Sequence, residues 1–214
     1  MPARVALSAD TLFSDVVGLD ENWPLQRYDG ETVHLKPRVQ WAACFWNAAN
    51  ILNGERKDED LLAFLGPVMQ NLGLACELSF KALLFGGGQT AQKVRNYGHS
   101  LTDLYRTAED HVDIVRFLDA VVRSSTPFDL PEVVADRGAE EGFARKETDL
   151  KWRMFTGHLD LLNELYDRPF RTRYIKAGAA SLPEPYILLV GSGLILNAMA
   201  ETLGLAAVGA PDAQ

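Results

Sequence analysis

The sequence predicts an all-α protein of about five helices. Three observations carry this reading: apolar residues recur every three to four positions over long segments, glycines and prolines stand at the ends of those segments, and one segment opens on a Ser-x-x-Asp capping pattern. With 214 residues, 47% of them hydrophobic and 23% charged, the chain can bury a substantial core and is expected to fold as a single domain.

Residues 1–36 hold Pro2, Gly18, Pro24 and Gly30 without a clear period and read as an irregular lead-in ending at Pro37, whose fixed φ suits a helix start. From Pro37 to Asn53, Trp41, Cys44, Phe45, Ala48, Ala49 and Leu52 recur at helical spacing, and Gly54 marks the stop. After the polar run GERKDED, Leu61, Leu65, Val68, Leu72 and Ala75 carry a second helix to Phe85. Gly66, Pro67 and Gly73 predict a kink or a division near Pro67, and Gly86, Gly87 and Gly88 supply a left-handed stop. A third helix is expected from Ser100 to about Ser124 with a break near Asp110, since Ser100 and Asp103 form the capping pattern.

Residues 125–149, with seven acidic residues against three basic ones, four prolines and glycines and little period, read as an acidic connector. Thr148 is the expected cap of the fourth helix, where Trp152, Phe155, Leu159, Leu162 and Tyr166 form one ridge and Leu150, Met154, Leu161 and Leu165 an adjoining one. Pro183 and Pro185 introduce a last apolar segment to about Leu205, ahead of a frayed tail over 206–214. The domain plan is thus a lead-in (1–36), core helices (37–124), the connector (125–149) and C-terminal helices (150–205).

Composition also bounds function. Twenty-one Lys and Arg against 29 Asp and Glu leave a net charge of -8, which disfavours nonspecific coating of nucleic acid. No secretory pattern opens the chain, so the cytoplasm is the expected compartment, and the apolar stretch Tyr186–Ala200 falls short of the roughly 20 residues of a membrane span. Cys44 and Cys76 lie in apolar helical patterns and read as buried thiols with no disulfide between them.

Several motif matches fail. GGGQTAQK lacks the G-K-[ST] ending of a phosphate-binding loop, and GSGLIL places Leu196 where a dinucleotide fingerprint has its third glycine. His34, His99, His111 and His158 show no H-x-x-x-H spacing, so no metal site and no cofactor are expected, and His158 reads as a satisfied core histidine beside Met154 and Leu161.

One region carries chemistry. ACELSFKALLFGG, followed by a polar connector and YGHSLTDLY, resembles the central signature of HEPN domains, in which a helix bearing an E-x-x-x-K pair leads to a G-H-x-L turn; the matching positions are Glu77, Lys81, Gly98, His99 and Leu101. The later RTRYIK resembles an arginine-tyrosine segment near the end of such domains. The specific likeness covers about 35 residues. It implies an up-and-down helical bundle, a homodimer with facing sites, and RNA or nucleotide as ligand, or a nucleotidyltransferase or antitoxin as partner. Ribonucleases of the family carry an Arg followed by a polar residue and, after four to six intervening residues in all, a His; here Arg95, Asn96 and His99 stand in that order with three residues between Arg95 and His99, one short of that pattern.

The residues themselves support two readings. His99 precedes the cap Ser100, beside a helix N-terminus whose N–H groups attract an anion, so it can take a proton from an RNA 2′-hydroxyl while Arg95 neutralises phosphoryl charge. Glu77 and Asn96 would assist, with Glu77 orienting His99 or Arg95. Alternatively, His99 staples against Leu104, Arg95 is a solvated charge, and Glu77 and Lys81 straddle the bundle edge as an i,i+4 pair. Arg171, Arg173 and Tyr174 form a basic, aromatic patch that suits unpaired RNA, and pairing with the acidic connector is the competing account.

Overall fold

The apolar periodicity becomes a helical bundle. The computed structural model describes residues 35–55, 61–115, 117, 147–166 and 182–205, which hold six helices and no strand. These are α1 (Leu35–Gly54), α2 (Leu61–Gly86), α3 (Ala91–Asn96), α4 (Leu101–Ala108), α5 (Glu147–Tyr166) and α6 (Pro185–Thr202), with a 3-10 turn at Glu109–His111 after α4. Residues 1–34 of the lead-in, the end of the expected third helix over 118–124, residues 125–146 of the connector and the tail over 206–214 lie outside the described residues.

α2 is the hub, packed against α1, α4, α5 and α6. Val68, Met69, Leu72, Ala75, Cys76, Phe80, Leu83 and Leu84 are all fully buried and form one broad side of the helix, while Pro67, Gln70, Asn71, Leu74, Leu78 and Lys81 line the opposite, part-exposed side. The division expected at Pro67 does not occur: α2 runs unbroken through the proline. Packing of Leu65, Val68 and Met69 on either side offsets the roughly 3 kcal/mol that an interior proline costs, and the Pro67 carbonyl accepts a bond from Asn71 Nδ2 at 2.8 Å. The glycine run ends α2 as expected, with Gly88 at φ 100° and the Gln89 N–H bonded back to the Leu84 carbonyl at 2.8 Å.

α1 presents a different face from the one its large residues predict. Leu35, Val39, Ala42, Trp46 and Ala49 are buried, whereas Trp41 is 62% exposed and Cys44 is an exposed free thiol. The helix is apolar on two overlapping stripes, and the stripe carrying small alanines allows the closer approach to α2. Pro37 sits in its first turn rather than at its first residue. Arg38 lies over the Phe85 ring, 4.7 Å from its centre, joining the start of α1 to the end of α2.

α5 begins at Glu147, so Thr148 lies inside the first turn and is not the cap. Phe155, Leu159 and Leu162 of the predicted ridge are buried. Phe155 makes edge contacts with Tyr105 and Phe117, and Tyr105 reaches Phe80, so one aromatic chain crosses α5, α4 and α2. α6 is long and apolar enough to cross a membrane, yet 83% of it is buried within the bundle. Its Gly191 lies under the Phe155 ring and its Gly193 against Trp46, whose indole N–H donates to the Leu189 carbonyl at 2.8 Å. The glycine pair in GSGLIL therefore serves close packing of two aromatic side chains.

Candidate functional site

The site is assembled on α2. Glu77 and Lys81 are four residues apart where the buried side of the helix meets its part-exposed side, and the buried Glu77 charge must be matched within the fold. Lys81 Nζ donates to Glu77 Oε1 at 2.6 Å, the side chains being 16% and 8% exposed. The other oxygen, Oε2, accepts the Tyr166 hydroxyl at 2.6 Å and lies 3.0 Å from His99 Nδ1. One buried carboxylate thus gathers groups from α2, from α5 and from the turn between α3 and α4.

Electrostatics follow from those partners. Burial alone raises the Glu77 carboxyl, but the bonds from Lys81, Tyr166 and His99 and the Lys81 charge outweigh it and hold the group below its ordinary range. Burial first, and then the Glu77 bond and charge, push the Tyr166 phenol far up, so it stays a neutral donor. An ionised carboxylate only accepts hydrogen bonds, which places the hydrogen of a neutral His99 ring on Nδ1 and leaves Nε2 as the acceptor. The His99 side chain is 68% exposed, so it is not walled in by Leu104, which is itself fully buried.

Local backbone explains why the imidazole stands out. Thr90 caps α3, whose Val94 is buried as its anchor. Tyr97 closes α3 and Gly98 follows at φ 58°, a left-handed conformation that reverses the chain immediately before His99. Ser100 then caps α4 as its sequence predicts, its Oγ accepting from the Asp103 N–H at 3.3 Å while its hydroxyl donates to Asp103 Oδ2 at 2.8 Å.

The N-terminus of α4 is not the vacant anion cradle that the sequence suggests. Asn163 Oδ1 of α5 accepts from the Leu101 N–H at 2.7 Å and the Thr102 N–H at 3.5 Å, and Ser100 takes that of Asp103. Thr102 Oγ1 also donates to Asp160 Oδ1 at 2.8 Å. Asp160, Asn163 and Tyr166 recur every three residues along one side of α5 and serve this turn together. Sequence reasoning placed Tyr166 on the apolar ridge and passed over Asn163; the D-x-x-N-x-x-Y spacing beside Leu159 and Leu162 is the signal that marks them.

Of the predicted site residues, the structure brings together Glu77, Lys81 and His99. Arg95 and Asn96 stand exposed in the last turn of α3, on the segment leading into His99, and Asn96 Oδ1 accepts from Gln92 Nε2 at 3.1 Å. Arg171, Arg173 and Tyr174 lie outside the described residues. His158 is a satisfied histidine: its Nδ1 accepts from the Glu184 N–H at 3.0 Å, and burial lowers its basicity. Among the described residues no group of three or more His, Cys, Asp and Glu is placed to hold a metal ion. Compared with protein-family models, curated proteins and solved structures, the chain matches none.

Proposed function

We propose that the chain is a HEPN-like protein that engages RNA and cleaves it by a metal-independent route, with His99 as the general base. The observation that carries this reading is an exposed imidazole whose inner nitrogen is held by a buried carboxylate. Such an arrangement sets the tautomer, aims the outer nitrogen at solvent and stabilises the imidazolium that forms when a proton arrives. The 2′-hydroxyl of a bound ribonucleotide gives its proton to Nε2, and its oxygen bonds to the adjacent phosphorus to form a 2′,3′-cyclic phosphate. The P–O5′ bond breaks, the 5′-oxygen leaving as a hydroxyl with a proton taken from water. Arg95, on the approach to the turn, neutralises the charge that collects on the phosphoryl oxygens. Asn96 assists Arg95 at the phosphate, Lys81 serves through its bond to Glu77 rather than by reaching the RNA, and Arg171, Arg173 and Tyr174 extend the RNA contact along the chain. The likeness in sequence adds a homodimer with facing sites and a toxin or defence setting.

A second reading has its own support, in the fully engaged N-terminus of α4. Asn163 and Ser100 already hold the N–H groups that would receive a phosphate. On this reading Glu77 is a clasp joining three elements of a noncatalytic module, one that dimerises or docks a nucleotidyltransferase or antitoxin.

Labelled single-stranded RNA incubated with the full chain in chelator separates the two. His99→Ala is expected to slow cleavage by about 100-fold or more, the usual contribution of a general base, and Arg95→Ala to slow it as well, with melting temperatures followed in parallel. Cleavage unchanged in both variants rejects the assignment of the base, and no cleavage by the wild type favours the docking module.

A further inference from the structure

We infer that Tyr166 is a positioning residue for His99: its hydroxyl shares Glu77 Oε2 with His99 Nδ1 and fixes the carboxylate so that the imidazole turns Nε2 outward. The inference rests on the proposed function for its catalytic meaning, and on geometry alone for the ring orientation.

A carboxylate on a long side chain can swing about its terminal bond. Here both oxygens are pinned, Oε1 by Lys81 from within α2 and Oε2 by Tyr166 from α5. With the plane fixed, the remaining acceptor direction of Oε2 falls on Nδ1 at 3.0 Å. The Tyr166 ring reinforces this, meeting the His99 ring edge-on with centres 6.3 Å apart and planes at 82°. Its own placement depends on Gly73 of α2: a Cβ there would lie 2.2 Å from Tyr166 Cδ2. The titratable groups facing Glu77 are Lys81 from α2, Tyr166 from α5 and His99 from the α3–α4 turn, while the neighbouring Cys76 thiol is held neutral by burial, which pushes it up to about 12.

A free imidazole in water favours the Nε2–H form, so the two arrangements can be told apart. Long-range proton–nitrogen correlation spectra of the 15N-labelled full chain, taken above the imidazole titration, report which ring nitrogen carries hydrogen. His99 signals are identified by their loss in His99→Ala. The expected wild-type spectrum shows His99 in the Nδ1–H form, and Tyr166→Phe shifts it so that Nε2–H becomes the major species. A wild-type Nε2–H form overturns the inference, and so does a Tyr166→Phe spectrum identical to wild type, which would leave the phenol a purely structural role. Should the Phe variant not fold, Gly73→Ala drives the ring from Glu77 without deleting it and is judged by the same two outcomes. RNA cleavage plays no part in this measurement: an unmoved tautomer with cleavage intact removes only the positioning role, and a shifted tautomer without cleavage removes only the ribonuclease reading.

Discussion

Asn163 and Tyr166 stand three residues apart at the end of α5 and hold the two sides of the His99 turn, Asn163 by accepting the first N–H groups of α4 and Tyr166 by donating to the carboxylate that His99 contacts. The turn is therefore set by α5 as much as by its own sequence.

Removing the Asn163 acceptor leaves the Leu101 and Thr102 N–H groups in need of another. Asn163→Ala is expected to cost about 1 kcal/mol, the usual value of a helix N-cap. Asn163→Asp should lose less, because it keeps the acceptor and adds a negative charge at the positive end of α4. Urea denaturation midpoints measure both, and an Asp variant weaker than the Ala variant would refute the capping role.

Glu77 accepts from Lys81 and holds two further bonds, with Tyr166 and His99. Glu77→Ala should destabilise by about 3 kcal/mol, the range for breaking a buried ion pair and leaving its donors unmatched. Glu77→Gln keeps an acceptor and should cost less. Equilibrium unfolding that places the Ala variant within about 0.5 kcal/mol of wild type, the scatter of ordinary surface changes, would show that the pair contributes little.

Acid stability follows from two depressed groups. Glu77 titrates below the ordinary 4.5 in the folded chain, so the unfolded chain binds the proton first and stability is lost as pH falls below 4.5. His158 titrates below the ordinary 6.5 because burial disfavours its charge, and its contribution is lost as pH falls below 6.5. Denaturation midpoints over a pH series should decline in both windows, with Glu77→Gln flattening the lower limb and His158→Gln the upper one. Equal slopes in variant and wild type would rule out the respective group.

Much of this site was legible in the sequence because its signals are local. The Glu77 and Lys81 spacing, the Ser100 and Asp103 cap and the stop at Gly86–Gly88 all depend on neighbours within four residues, and the break after Ala108 fell where Asp110 suggested. Tyr166 and Asn163 were illegible as site residues because their partners lie 89 and 62 positions away, and no periodicity encodes such a distance. The face of α1 was legible only in part: helical spacing marked Ala49, which is buried, together with Trp41 and Cys44, which are exposed, and passed over Ala42 and the Trp46 that hydrogen-bonds α6, because two apolar stripes overlap on this helix.

Two glycines should respond differently to alanine. A Cβ at Gly191 would stand within 2.1 Å of the buried Phe155 ring, so Gly191→Ala should cost at least the roughly 1–3 kcal/mol of an overpacked core. Gly98 has open space around it and a φ of 58°, so Gly98→Ala should cost only the roughly 1–2 kcal/mol of a left-handed backbone. Gly98→Asn should recover part of that loss, since Asn tolerates this conformation, while Gly191→Asn should be worse than Ala. Thermal unfolding of the four variants checks the order.

The carboxamide seated on the first amides of α4 acts as an internal competitor. An anion arriving beside His99 must evict Asn163 Oδ1 to reach the Leu101 and Thr102 amides, so entry there is an exchange in which one acceptor replaces another and the net gain is small. Simple salts are thereby discouraged from lodging at the turn, and whatever binds there must draw its affinity from side chains or from contacts farther out.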